Sequence, residues 1–443
     1  MNPFFEEEPK GPVTDTIPEV DRAIQGGILG PQKVFSAAGA IGSKLGSIYH
    51  RGIYGQLNRE TVPQKTTFDS LFDISSLTKP LATGLALMQL VAKGRLALDK
   101  PVSQFLKDAQ GPPWDKILLE HLLDHTSGLV SHKPFWEPLK KDQEDTGAKL
   151  LQTRAGEARI REAVLKLPPQ KPVGEASIYS DLNFMILGWI VESIVGKRLH
   201  VHVQNEIFKP LGLTNMFFVD MTDEKRPYAK RQFVATEKSQ WRRKTLIGEV
   251  HDPNAWAMGG VSGHAGLFAT VDDVHKLGQL LLDSYLGKPE APFHTATVRR
   301  FFTRSKRAAN RTWALGWDTP SPRESLAGSR MSRSAVGHLG FTGCSIWIDL
   351  QNECVTVLLT NRVHLTPEGK DDWMRKFRPH VEDLFAAYAQ SWTPPVVEEE
   401  EDPYAAVRKM QEAKKKAAGA PPKNAPPPPI AKSGVKKSET PPS

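Results

Sequence analysis

The sequence predicts an α/β fold of the α+β kind, an antiparallel sheet flanked by helices plus a mainly helical region. Strand patterns near residues 33–54 and again near 344–360 are separated by long apolar helical runs, and a further helix follows the late strands. Strands at both ends with helices between them close one sheet from two directions.

Residues 1–16 read as a loose lead-in, and Ile17 to Gln25 as a helix opened by Pro18 and ended by Gly26-Gly27. Lys33 to Ile41 and Ser47 to Tyr54 read as strands joined through Gly42-Ser43-Lys44-Leu45-Gly46. Gly42-Ser43-Lys44 differs from a phosphate loop, because Ser precedes Lys and Ala37 stands where the first glycine is needed. A hairpin turn is expected there instead.

Leu71 to Pro80 brings a short strand-like run up to a helix. Pro80 to Lys93 is apolar nearly all round, as a buried helix is, and Gly94 stops it. Pro80 fits only near the helix start. Leu98 to Pro101 opens a loop-and-helix region that runs to about residue 230 and holds helices at Ile117–His125 and Phe184–Val195, the second ended by Gly196. Residues 218–258 read mostly as loop. Ala269 to Tyr285 is a helix with Thr270 as cap and Asp272-Asp273 favourable to its dipole. Cys344–Leu350 and Glu353–Thr360 form a hairpin about Gln351-Asn352, which sets 349 opposite 354 and 344 opposite 359, and Trp373–Gln390 is the last helix.

Residues 1–392 are therefore expected to form one domain, with a sheet region from about 17–75 and 330–392 and a helical or loop insertion at about 95–265. From Thr393 the chain turns to Pro-Pro, an acidic run Glu398–Asp402, and a basic Pro/Lys-rich stretch without core-forming residues. Residues 393–443 are expected to be a disordered solubilising tail, with an arm for an acidic partner as the alternative.

The net charge of +8 comes mainly from that tail: residues 403–443 hold nine Lys/Arg against two acids, leaving +1 for residues 1–402. No nucleic-acid groove is implied. No apolar run is long enough for a membrane span, and the start, Met1 to Glu8, has neither a basic nor an apolar signal region. Cys344 and Cys354 are not cross-strand partners, and two unpaired thiols point to a reducing compartment; a cytoplasmic location is expected.

The chemistry centres on Ser76 and Lys79, which sit at i and i+3 on one helix face and hold a hydroxyl beside an amine. Tyr179-Ser180-Asp181 precedes the Phe184 helix, and His338-Leu339-Gly340-Phe341 precedes the late hairpin. His121 and His125 stand at i and i+4, but Leu122 occupies the place where a zinc motif needs Glu. No metal or cofactor is expected. Ser262 lies in Gly260-Val261-Ser262-Gly263-His264, which misses the nucleophile-elbow pattern at its last position, and His251-Asp252-Pro253-Asn254 and His264 are read equally as pocket lining or turn residues.

The three separated segments resemble the motifs Ser-x-x-Lys, Tyr-x-Asn and Lys/His-x-Gly of the serine β-lactamase-related family, which includes class C β-lactamases, D-Ala-D-Ala carboxypeptidases and esterases. Leu122–Leu129, Leu187–Glu192 and Gly259–Phe268 support the resemblance, which spans roughly 17–390. It implies a β-lactamase/transpeptidase-like fold, an acyl-enzyme on Ser76, and catalytic roles for Lys79, Tyr179 and His338. It places Asp181, Leu339, Gly340 and Phe341 against the substrate, with the N–H groups of Ser76 and Phe341 as the oxyanion hole.

Two positions depart from the pattern. Asp181 stands where Asn is usual; its carboxylate favours the Lys79 ammonium and moves the base role to Tyr179, whose phenolate Lys79 and His338 would hold. Leu339 replaces the hydroxyl residue that meets a substrate carboxylate. A small ester or amide is therefore the expected substrate, with a peptide-like substrate of a D-Ala-D-Ala carboxypeptidase, or a β-lactam, as one alternative. A catalytically silent relative that binds a ligand or partner is the other.

Overall fold

The computed structural model describes residues 16–394, apart from 226, 227, 229, 309, 310 and 367. From residue 395 the expected tail, with the acidic partner assigned to it, lies outside the described residues. Five strands form the main sheet: β1 (Ala37–Lys44), β2 (Ser47–Gly55), β3 (Val336–Leu339), β4 (Ser345–Asp349) and β5 (Cys354–Thr360). Five helices frame the sheet and the site: α1 (Pro18–Leu29), α2 (Leu85–Ala92), α3 (Asp181–Val195), α4 (Val271–Leu286) and α5 (Asp371–Ser391).

The sheet runs β2-β1-β5-β4-β3 and is antiparallel throughout, so the two ends of the chain meet at the β1–β5 pair. Cys354 lies opposite Asp349, the register expected from the hairpin, and both cysteines are free and buried. The first hairpin is tighter than expected. Leu45 and Gly46 alone join β1 to β2, at φ 52° and 84°, as a two-residue turn with both centres left-handed requires. Gly42, Ser43 and Lys44 are consequently strand residues paired with β5.

Helix α1 runs through Gly26-Gly27 rather than ending there. A Cβ at Gly27 would lie 2.3 Å from the Phe35 ring, so glycine at this position allows the helix to approach the sheet. α1 and α5 cover one face of the sheet around Phe35, Tyr49, Leu358, Phe377 and Phe385. α4 covers the other, where Gly278 leaves room for Val355 and Ile346. Thr270 caps α4 by accepting from the Asp273 N–H. Beyond α4 a large core takes in α2, α3 and the short helices between residues 95 and 265.

A second sheet pairs Phe72–Asp73 and Met216–Phe218 on either side of Leu267–Ala269. It joins the segment before Ser76 to the loop around Gly263, which lies between Thr83 and α3. Among the described residues, no helix is long and apolar enough to cross a membrane.

Candidate active site

Ser76 is presented by a bend that its neighbours hold open. The buried Asp73 carboxylate accepts from the Ser75 N–H (2.8 Å) and from the His251 N–H (2.6 Å), and Ser75 sits at φ 49°. A left-handed non-glycine residue costs on the order of 1–2 kcal/mol, which these bonds offset. Ser75–Leu77 is a single 3₁₀ turn, Lys79–Gly84 is wound as a wide π turn, and α2 continues from it. Pro80 occupies the start of the wide turn, where a missing N–H is tolerated.

Lys79 is fully buried. Its Nζ donates to Ser76 Oγ (3.0 Å), to Asp181 Oδ1 (2.7 Å) and to the His264 carbonyl (3.1 Å). Burial works against the ammonium, but Asp181 and Tyr179 outweigh it, and the lysine pKa stands above its ordinary value. Burial likewise opposes the Asp181 charge and Lys79 reverses it, so this carboxyl is held well below the usual range. The pair is ionic, with the lysine as its cation.

Asp181 also meets His132 Nδ1 (3.3 Å), and His264 Nε2 meets Asp252 Oδ1 (2.9 Å). Ligand atoms of Asp181, Asp252 and His264 lie within 4.8 Å of one another, with Asp181 already engaged by Lys79. Ser262 Oγ is 2.7 Å from His264 Nδ1, yet Ser262 is enclosed, and a Cβ on adjacent Gly263 would fall 2.0 Å from the Phe184 carbonyl. This glycine lets the loop lie against α3 and aim the His264 carbonyl at Lys79.

Tyr179 is boxed in by rings: His125 at 4.7 Å between centroids, Trp313 stacked at 5.4 Å, and His338 at 6.1 Å. His125 accepts from the Ser180 N–H through Nδ1, while its carbonyl receives the Ile178 N–H, so the two loops are tied together. His125 is thus a structural partner of the tyrosine loop. His121 Nδ1, by contrast, accepts from the Leu118 N–H at its own helix start. Burial raises the Tyr179 pKa, opposed by the Lys79 charge and by hydrogen bonding with Lys79 and Ser76.

His338 corrects one expectation. Its Nδ1 is 2.8 Å from the Leu339 carbonyl, and because a carbonyl only accepts, the proton is on Nδ1 and Nε2 is an acceptor. Burial and the Lys79 charge push the imidazole pKa down to about 3. A neutral His338 cannot help hold a phenolate; among the two residues given that task, Lys79 alone carries the charge.

The 340–342 segment meets the residues just before Ser76 at two close contacts. A Cβ at Gly340 would lie 2.7 Å from the Ile74 carbonyl, and Thr342 Oγ1 donates to the Asp73 carbonyl (2.7 Å). Among the described residues, neither the Ser76 nor the Phe341 N–H has a backbone acceptor outside its own element. Leu339 closes β3 opposite Ser345 and is half-buried.

Of the eight residues singled out from the sequence, Lys79 and Tyr179 meet Ser76, Asp181 meets Lys79, His338 lies against Tyr179 and Gly340 packs on Ile74, with Leu339 and Phe341 flanking Gly340. Asp73, His132 and Trp313 were not anticipated. Asp73 had a local signal, since an Asp side chain commonly binds an N–H two residues on; the other two had none.

A family model described as Beta-lactamase matches residues 31–379. The chain belongs to the beta-lactamase family. Within it, the chain is 34% identical over 366 residues to an N-acetylmuramyl-L-alanine amidase of Bacillus subtilis (strain 168), covering 78% of this chain and 80% of the relative. It is 33% identical over 322 residues to a putative D-alanyl-D-alanine carboxypeptidase of Escherichia coli (strain K12), covering 68% and 71%. Among solved structures, EstCE1, a hydrolase with promiscuous acyltransferase activity, superposes with a TM-score of 0.62 at 19% identity over 83% of this chain and 98% of that one. A class C beta-lactamase does so with a TM-score of 0.60 at 17% identity over 82% and 95%. The fold is that of this family, and the chain is a serine hydrolase of the beta-lactamase type.

Proposed function

We propose that this beta-lactamase-family hydrolase cleaves a small ester or amide through an acyl-enzyme on Ser76. The observation that carries the reading is the continuous line from Ser76 Oγ through Lys79 Nζ to Asp181, with Tyr179 against both Ser76 and Lys79. Ser76 Oγ attacks the carbonyl carbon as its proton passes to the Tyr179 phenolate, the form that the Lys79 ammonium favours. The N–H groups of Ser76 and Phe341 receive the developing oxyanion, a contribution of about 3–4 kcal/mol to the barrier for each such donor. Tyr179 then returns the proton to the leaving group as the carbon–heteroatom bond breaks. Water completes the cycle by the same steps in reverse, releasing the acid and restoring Ser76.

The substrate reading rests on what the site lacks beside the carbonyl. Leu339 has no hydroxyl, and His338 is a neutral acceptor at Nε2, so neither offers a donor to a substrate carboxylate. An uncharged acyl group suits such a site better than a free C-terminal carboxylate. A second reading, an amidase or carboxypeptidase acting on peptide-like amides, draws on the names of the two relatives. The buried free thiols fit a reducing, cytoplasmic setting for either.

Intact-mass spectrometry after exposure to p-nitrophenyl butyrate, D-alanyl-D-alanine peptides and a chromogenic cephalosporin tests these readings. The expected result is ester turnover exceeding peptide and cephalosporin turnover, with the acyl mass on Ser76 and at least a 10³-fold loss in Ser76→Ala, about 4 kcal/mol at 1.36 kcal/mol per tenfold. Undiminished ester hydrolysis by Ser76→Ala would refute the mechanism.

A further inference from the structure

Phe341 is 47% exposed, while His251, Arg362 and the residues around Ser76 are buried or nearly so. An exposed phenylalanine normally samples several rotamers, but this one is fixed from two directions. Its ring stacks on His251, with centroids 5.6 Å apart and planes inclined by 25°, and the Arg362 guanidinium lies 4.3 Å from its centroid. The supports are themselves anchored. His251 donates its N–H to Asp73 and contacts Glu237 through Nε2, and Arg362 contacts Asp371 and donates to the Phe341 carbonyl.

We propose that the Phe341 ring is a preorganised platform for a flat or bulky apolar acyl group and sets the acyl specificity of the Ser76 site. This deepens the proposed hydrolase reading and depends on it. We place the acyl group on the side away from Tyr179, because the two aromatic sets are separate. Tyr179, the proposed proton donor to the leaving group, is surrounded by His125, Trp313 and His338, whereas Phe341 contacts His251 and Arg362 and shares no ring contact with Tyr179. With the carbonyl oxygen on the Phe341 N–H, the leaving group lies toward Tyr179 and the acyl substituent toward the exposed ring. His251 and Arg362 hold the ring in place, and the 47% of Phe341 that stays exposed is available for apolar contact without the cost of ordering a mobile side chain.

The test is the ratio of kcat/KM for p-nitrophenyl phenylacetate to that for p-nitrophenyl acetate, two substrates with one leaving group. Phe341→Ala is expected to lower this ratio by about tenfold, the scale of a lost apolar contact. Phe341→Tyr, which keeps the ring, should retain it, and Phe341→Leu should fall between. A ratio unchanged in both Phe341→Ala and Phe341→Leu overturns the proposal, as does an equal fall in Phe341→Tyr. Should Phe341→Ala fail to fold, the Leu and Tyr variants decide the matter. Ser76→Ala separates this from the parent reading: persistent turnover there removes the mechanism, whereas an unchanged ratio with Ser76-dependent turnover removes only the platform.

Discussion

Replacing Asp181 by Asn tests the electrostatic design of the site most directly. Lys79 Nζ is fully buried and 2.7 Å from Asp181 Oδ1. At an effective dielectric of about 20, that separation corresponds to roughly 6 kcal/mol of attraction, set against the cost of removing both ions from water. Truncating one partner of such a pair usually costs about 3–5 kcal/mol, because the other charge stays buried alone. The amide introduced by Asp181→Asn can still accept from Lys79 but offers no charge, so burial becomes the dominant influence on the lysine and its folded pKa should fall below that of the unfolded chain. The pH dependence then changes sign. In the wild type the raised Lys79 pKa contributes stability that is fully present below the unfolded pKa near 10.4 and is lost only as pH rises through the folded value. In Asp181→Asn the unfolded chain binds the extra proton between the depressed folded pKa and about 10.4, so stability climbs with pH across that window. Urea unfolding at pH 7 and pH 9.5 should show a deficit of about 3 kcal/mol or more at pH 7 that narrows at pH 9.5. An equal deficit at both values, or none, would refute the view that Asp181 is what keeps Lys79 charged.

Two further outcomes are expected. Because burial raises the Tyr179 pKa, its phenolate is the minor form near neutrality, so ester kcat should increase with pH above 7; in Tyr179→Phe that rise should vanish along with at least about 99% of the rate, as measured by a pH–rate profile. Glu382, buried under the sheet with Thr356 Oγ1 and Ser345 Oγ as partners, has its pKa raised by burial from 4.5 to about 7. Its folded form holds the proton more tightly, so between about pH 4.5 and 7 stability falls as pH rises, by up to about 3 kcal/mol. Glu382→Gln should flatten that fall, and thermal unfolding at pH 5 and pH 8 would expose an error if the two proteins kept the same pH dependence.

Local geometry made the Ser76–Lys79 pair legible, whereas Tyr179, Asp181 and residues 338–341 were reached only through their resemblance to family motifs. Ser76 and Lys79 are three residues apart, and even with the helix widened to a π turn, the lysine reaches the hydroxyl. The opposition of Asp349 and Cys354 likewise depends on one short hairpin. Strand β3 carried no comparable sign: Val336 to Leu339 is too short for alternation to emerge, and its pairing with β4 decides it. The extent of α1 was hidden for a different reason, since Gly27 looks like a stop signal until Phe35 is placed against it.

Partners brought in by tertiary structure were out of reach. His132 meets Asp181 across 49 positions of sequence, and Trp313 reaches Tyr179 from a loop that no periodicity predicts. The charge state of His338 belongs to this class even though the residue itself was found. A histidine in His-x-Gly is compatible with either a cation or a neutral base, and the choice depends on burial beside an ammonium that is itself stabilised by Asp181. Burial first and the Lys79 charge second work against a cation at 338, while the Asp181 charge taken alone favours one, so the neutrality of His338 is set by its enclosure beside the ammonium. On the proposed reading, the Asp181 carboxylate keeps Lys79 charged and so leaves the proton transfer of acylation to Tyr179.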